Sequence, residues 1–189
     1  MKKLLVVIIA FWAVACSSPD IIYKPRPQIL PPHIKKLSVR TFTNHTPNFG
    51  LEEKLTLAIT DEFLKSGEYA ITNEKEAQGI IMGEIKYYIL TPIEYDVNMV
   101  PTTYKLDIVV SVSILDKMKN HLLWTEPALR ATKIYSAATL PGGMTEARAR
   151  EILWELLAKD IVKRTIEGFG AVTSTSEKKI PKNSEKVSQ

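Results

Sequence analysis

"YKLDIVVSVSIL" (residues 104–115) decides the fold. Counted in twos, Tyr104, Leu106, Ile108, Val110, Val112 and Ile114 fall on one side. Lys105, Asp107, Ser111 and Ser113 fall on the other. Period two with β-branched residues specifies a strand. One dry side and one wet side specify an antiparallel sheet covered on a single face. The rest of the chain must supply neighbours for this strand and a cover for its dry side.

The neighbours are visible. "IKKLSVRTFTN" (residues 34–44) alternates, with Leu37, Val39 and Thr41 opposite Lys36, Ser38 and Arg40. "GIIMGEIKYYIL" (residues 79–90) puts Ile81, Ile85, Tyr87 and Ile89 on one side, and Pro92 should end it. "EYAITN" is a short strand, and "YDVNMVPTT" a loop between neighbouring strands. "HLLWTEPALRATKIYSA" is a less regular strand whose Pro127 implies an edge or a break. The cover is two helices. "LEEKLTLAITDEFLKSG" spaces Leu51, Leu55, Ala58, Ile59 and Phe63 helically over residues 51–66, with Gly67 as its stop. "TEARAREILWELLAKDIVKRTIEGFG" follows the loop "LPGGM", with Thr145 as cap and an apolar stripe of Ala149, Ile152, Leu153, Leu156 and Ile161. The expected fold class is α+β: a two-layer sandwich, two helices on one face of a mostly antiparallel four- to five-stranded sheet.

The ends differ in kind from this domain, placed at residues 34–170. "MKK" followed by the twelve-residue apolar run "LLVVIIAFWAVA" has the form of a signal peptide over residues 1–15. A membrane-crossing helix needs about 20 apolar residues. The chain's single cysteine, Cys16, comes next, so no internal disulfide is available. "AVAC" (residues 13–16) resembles the bacterial lipobox, with Ala13 where leucine is usual. That resemblance implies a covalent lipid at Cys16. Ser17, in place of the aspartate that retains enteric lipoproteins at the inner membrane, implies sorting to the outer membrane. Residues 17–33 hold five of the eleven prolines and read as an extended tether of roughly 50 Å. Residues 171–189 are a polar tail rich in serine and lysine, expected to be disordered.

Charge and chemistry exclude several classes. The formal charge is +4, but without Lys2 and Lys3 there remain 23 basic and 21 acidic residues, a net +2. No cationic run interleaved with aromatics points to nucleic acid. His33, His45 and His121 each fall in a turn, without a partner at metal-ligand spacing. "LPGGM" lacks the Lys-Ser/Thr of a phosphate loop. Glu52/Glu53 and Asp61/Glu62 are sequence neighbours that diverge on a helix. No enzyme, metal or cofactor is expected beyond the lipid at Cys16.

The succession of elements resembles the LptE lipopolysaccharide-assembly family. It runs through "LPPHIKKLSVRTFTNHT", "FGLEEKLTLAITDEFLKSGEYAI", "AQGIIMGEIKYYIL", "TYKLDIVVSVSILD", "LLWTEPALRATKIY" and the final helix, over about residues 30–168. The resemblance implies a non-catalytic plug of the β-barrel translocon LptD that aids its assembly and binds lipopolysaccharide. It would face the periplasm and the barrel lumen. A barrel lumen is polar, so a plug needs a wet sheet face. Lys105, Arg130 and Lys133 are the candidate partners for lipopolysaccharide phosphates. The loop "YDVNMVPTT", where family members can carry a basic residue, has none. That departure leaves open a lipoprotein adaptor or envelope scaffold that does not bind lipopolysaccharide. A periplasmic hydrolase would need a convergent nucleophile and base.

Overall fold

The computed structural model describes residues 30–167. Cys16, the signal segment, most of the tether and the tail lie outside the described residues. Within them the order is β1 (Lys36–Val39), β2 (Thr43–Asn44), α1 (Leu51–Ser66), β3 (Ala70–Ile71), β4 (Gly79–Tyr95), β5 (Pro101–Asp116), β6 (His121–Ser136) and α2 (Glu146–Glu167). The sheet runs β3-β1-β4-β5-β6, with β2 also on β4. The α+β reading holds, with two helices against one open sheet. The sheet is mixed. β4, β5 and β6 form an antiparallel meander, while β1 lies parallel to β3 and β4, and β2 parallel to β4. Parallel neighbours need a crossover connection, and α1 lies on that connection.

The centre of the core is β5. Leu106, Ile108, Val110, Val112 and Ile114 are all fully buried. Leu51, Leu55, Ile59 and Phe63 meet them from α1, and Ala149, Leu153, Leu157 and Ile161 from α2. Each such Leu, Ile or Phe contributes about 1.5–3 kcal/mol relative to exposure. α1 rests on the β1–β3 side and α2 on β5 and β6. Gly67 ends α1 in the left-handed region at φ 66°, its N–H bonded to the Phe63 carbonyl at 3.2 Å. Thr145 caps α2, its Oγ1 accepting from the Arg148 N–H at 3.3 Å. The stripe of α2 is wider than its spacing implied, because the helix meets both the sheet and α1. Trp154, Leu157, Ala158 and Val162 are buried, whereas Leu156 is half-exposed.

Three irregularities separate strand from pattern. β1 and β2 are one expected strand split in two: Val39 pairs with Ile81 but Thr43 with Glu84, one residue out of step. The break turns Phe42 into the core. β4 bulges at Lys86, between the pairs Ile85–Val110 and Tyr87–Val109. A bulge reverses which face later residues take. So Tyr88 faces inward, and Tyr87 and Ile89, expected inside, stand outside. Pro92 does not end β4, which pairs on to Tyr95. Among the described residues no strand lies outside β4 beyond Ile85, so this is an edge that tolerates proline. Pro127 likewise sits in a bulge of the edge strand β6.

The tether joins the domain earlier than expected, since Leu30 is fully buried. Three residues on, His33 Nε2 meets Asp116 Oδ2 at 2.9 Å, with the Asp116 side chain wholly enclosed. Burial alone would raise the Asp116 pKa. The N–H groups of Lys119 and Met118, with His33, outweigh it and hold the carboxyl below its usual range. A carboxyl lowered in the folded state stabilises above its unfolded value of about 3.9, and that contribution is lost as pH falls through the folded value. Asp116→Asn should therefore lower Tm at about pH 6, with the gap to the wild type closing towards about pH 3. Thermal unfolding across that range measures it. Gly83 marks a close approach. A Cβ there would lie 2.2 Å from the Ser111 carbonyl oxygen and 2.5 Å from the Phe42 ring. Gly83→Ala should cost about 1–3 kcal/mol in urea unfolding.

Candidate functional site

The sheet face away from the helices is the candidate surface. Register places its side chains in rows across β4, β5 and β6: Tyr87–Val109–Arg130, Ile89–Asp107–Thr132 and Thr91–Lys105–Ile134. At the centre is Asp107, only 7% exposed between its neighbours. It accepts a hydrogen bond from Thr132 Oγ1 at 2.5 Å and pairs with Lys105 Nζ at 3.0 Å. Burial opposes its ionisation. The bonds from Thr132 and Lys105, and the charges of Lys105 and Arg130, prevail and lower its pKa. Asp107 is thus a fixed anion that tethers one of the candidate cations.

The three candidates do not share a face. Lys105 and Arg130 do, on either side of Asp107. Lys133 pairs with Leu106, whose side faces the helices, and is half-buried there. Parity explains it: 130, 132 and 134 share a face, and 133 takes the other. Around these polar groups the surface is apolar. Tyr87, Ile89 and Ile134 are 58%, 48% and 56% exposed. The bulge at Lys86 carries the first two outward, and period-two counting holds no sign of it. Nearer the β1 end, Arg40, Thr41, Thr43, Met82, Glu84, Ser111 and Ser113 line a shallow hollow of about 240 Å³. Its one guanidinium is already engaged, since Arg40 Nη2 and Nε reach Glu74 at 2.5 and 3.2 Å.

Elsewhere the polar groups serve the fold. Tyr88 Oη donates to Glu146 Oε1 at 2.5 Å, tying β4 to the first turn of α2. Burial, then that carboxylate, raises the Tyr88 pKa and keeps the phenol neutral. Glu52 accepts from Asn44 Nδ2 at 3.0 Å, and Glu62 pairs with Lys65 at 3.7 Å. His45 lies 3.6 Å from Glu84. Among the described residues no group of three or more His, Cys, Asp or Glu could hold a metal. In the same residues no helix is long and apolar enough to cross a membrane. The arrangement can bind an amphipathic or extended partner along a half-apolar, hydroxyl-rich face.

Solved structures resemble this fold at low sequence identity. A protein of family DUF330 from Xanthomonas campestris is 13% identical, with a TM-score of 0.51, covering 72% of this chain and 88% of that one. A minor lipoprotein from Acinetobacter baumannii is 17% identical, with a TM-score of 0.46, covering 69% and 91%. An uncharacterized lipoprotein B from Nitrosomonas europaea is 21% identical, with a TM-score of 0.40, covering 75% and 86%. At such identities only fold is shared, and only the first similarity is strong enough to support it. No curated protein sequence matches the chain. The family model described as LptE, lipopolysaccharide-assembly, matches residues 34–166, nearly the whole folded unit. By that match the chain belongs to the LptE lipopolysaccharide-assembly family.

Proposed function

We propose that this protein is an outer-membrane lipoprotein, acylated at Cys16, that plugs and helps assemble the LptD β-barrel and contacts lipopolysaccharide in transit. Family membership supports the process. The observation that carries the finer reading is the open sheet face. A soluble domain that buries one side of its sheet and leaves three long strands bare on the other has a broad surface for a polar barrel wall. Its role is to fill, position and bind, without a reaction of its own. The lipid holds the chain at the membrane, since two or more acyl chains are needed for durable attachment.

On this reading Arg130 is the principal contact for a lipopolysaccharide phosphate. Lys105 shares its charge with Asp107, and Lys133 belongs to the other face. The pairing of Lys105 favours a second reading, an adaptor that holds the barrel without binding lipopolysaccharide. Two measurements separate them. Tagged protein extracted in mild detergent should bring down a large β-barrel, and recovery of the chain alone from outer membranes would sink both barrel roles. A hydrogen bond to a charged group contributes about 1.5–3 kcal/mol. Arg130→Ala should therefore weaken lipopolysaccharide binding about tenfold or more, Lys105→Ala less, and Lys133→Ala hardly at all. Equal effects of all three would favour a diffuse charge effect, and no binding by the parent protein would leave the adaptor.

A further inference from the structure

The far end of the β4–β5 hairpin is built differently from the rest of the surface. Val97 is 98% exposed and Met99 76%, and Ile93, Tyr95 and Val100 beside them are about half-exposed. No lysine or arginine occurs from residue 87 to residue 104. The two carboxylates of this segment, Glu94 and Asp96, are exposed, but each is engaged by neighbouring donors. Asp96 Oδ1 accepts the N–H groups of Asn98 and Val100 at 2.8 and 2.9 Å, and Glu94 accepts from Thr103 Oγ1 at 2.6 Å. Asp96 N–H reaches the Val100 carbonyl at 2.9 Å, and Met99 N–H the Asp96 carbonyl at 3.0 Å. Met99 holds φ at 61°, which fixes the turn. The backbone amides of Asp96, Asn98, Met99 and Val100 are therefore satisfied within the loop.

Such internal pairing lowers the cost of bringing a loop towards hydrocarbon, where every unsatisfied amide is costly. A loop made to grip phosphate would instead present cations or free N–H groups. We propose that the residue 93–100 tip is a membrane-inserting wedge that dips into the acyl-chain region of a phospholipid leaflet. The Asn98 side chain and the nearby carboxylates limit it to the interfacial depth of about 5–10 Å. Tyr95 suits the headgroup boundary.

The geometry of the tether agrees. The chain enters the domain at Leu30 and is pinned by His33 to Asp116, the end of β5 opposite the tip. Sixteen residues of β5 separate these poles, about 50 Å at strand rise. Residues 17–29 between Cys16 and the domain reach at most about 50 Å. An anchored domain can thus lie along its own membrane and bring the tip back to it. The proposal takes the Cys16 anchor from the reading above and concerns the anchored chain before it enters a barrel lumen; it requires no lipopolysaccharide.

The test uses the mature, anchored chain with Val97→Cys, carrying an environment-sensitive fluorophore, in vesicles of phosphatidylethanolamine and phosphatidylglycerol. Lys119→Cys, in the turn at the other pole, is the reference. The Val97 label should shift to the blue and be quenched by a shallow acyl-chain nitroxide rather than by iodide, and Met99→Asp should abolish both effects. The Lys119 label should stay aqueous. A chain that floats with vesicles while its Val97 label is quenched by iodide sinks the wedge alone. Failure to float sinks the anchor and the wedge together. A blue shift without nitroxide quenching that disappears on dilution means that tips pack on a second copy, and also overturns the proposal. None of these results bears on whether a barrel co-purifies.

Discussion

A single strand with one dry side governs this molecule. Five alternate residues of β5, from Leu106 to Ile114, lose all contact with water. Among the described residues this is the longest such row of fully buried alternate residues in a strand, and two amphipathic helices cover it. Because both helices are spent on that side, the opposite face is left to hydroxyls, one buried carboxylate and a few apolar side chains. The asymmetry is a consequence of supply: two helices close one face of a sheet, and a further layer would be needed to close the other.

What the sequence made legible follows the strength of the periodic signal. β5 and α1 were plain, because their alternations of two and of four run uninterrupted over many residues. The cap at Thr145 and the stop at Gly67 were plain because their chemistry is local. The misreadings cluster where a single residue breaks register. Lys86 in β4 and the step between Val39 and Thr43 each move a side chain across the sheet. Period two groups Tyr87 and Ile89 with Ile81 and Ile85, whereas the bulge sends them to the open face and gives it its apolar part. Lys133 lies on the opposite face from Arg130, as the parity of β6 dictates. Pro92 misled because a rule for central strands was applied to a strand that is an edge beyond Ile85. Asp107 falls on the wet side of its strand, yet it is nearly enclosed, because its neighbours Ile89 and Thr132 come from β4 and β6, which its own strand's pattern does not show. Cys16 and the lipid expected there lie outside the described residues.

The functional consequences divide along the long axis of the sheet. At one pole the tether enters and is clamped through His33 to a buried carboxylate, so pull from an anchor would be carried straight into β5. At the other pole the β4–β5 hairpin extends a turn without lysine or arginine, in which the N–H groups of Asp96, Asn98, Met99 and Val100 are bonded within the loop. Between them lies the open face. Family membership places this arrangement in lipopolysaccharide assembly. On that face Asp107 is held by Lys105 and Thr132, and the hollow near Arg40 has its cation already bound to Glu74.

The one-sided cover of β5 can be measured through two adjacent tyrosines. Hydroxyl-radical footprinting of the chain in solution, read by mass spectrometry, compares Tyr87 with Tyr88 and Ile89 with Ile108. The fold requires strong oxidation at Tyr87 and Ile89, weak oxidation at Tyr88, and none above background at Ile108. Protection of Tyr87 with exposure of Tyr88 would place the strand one residue out of register and contradict the open face described above.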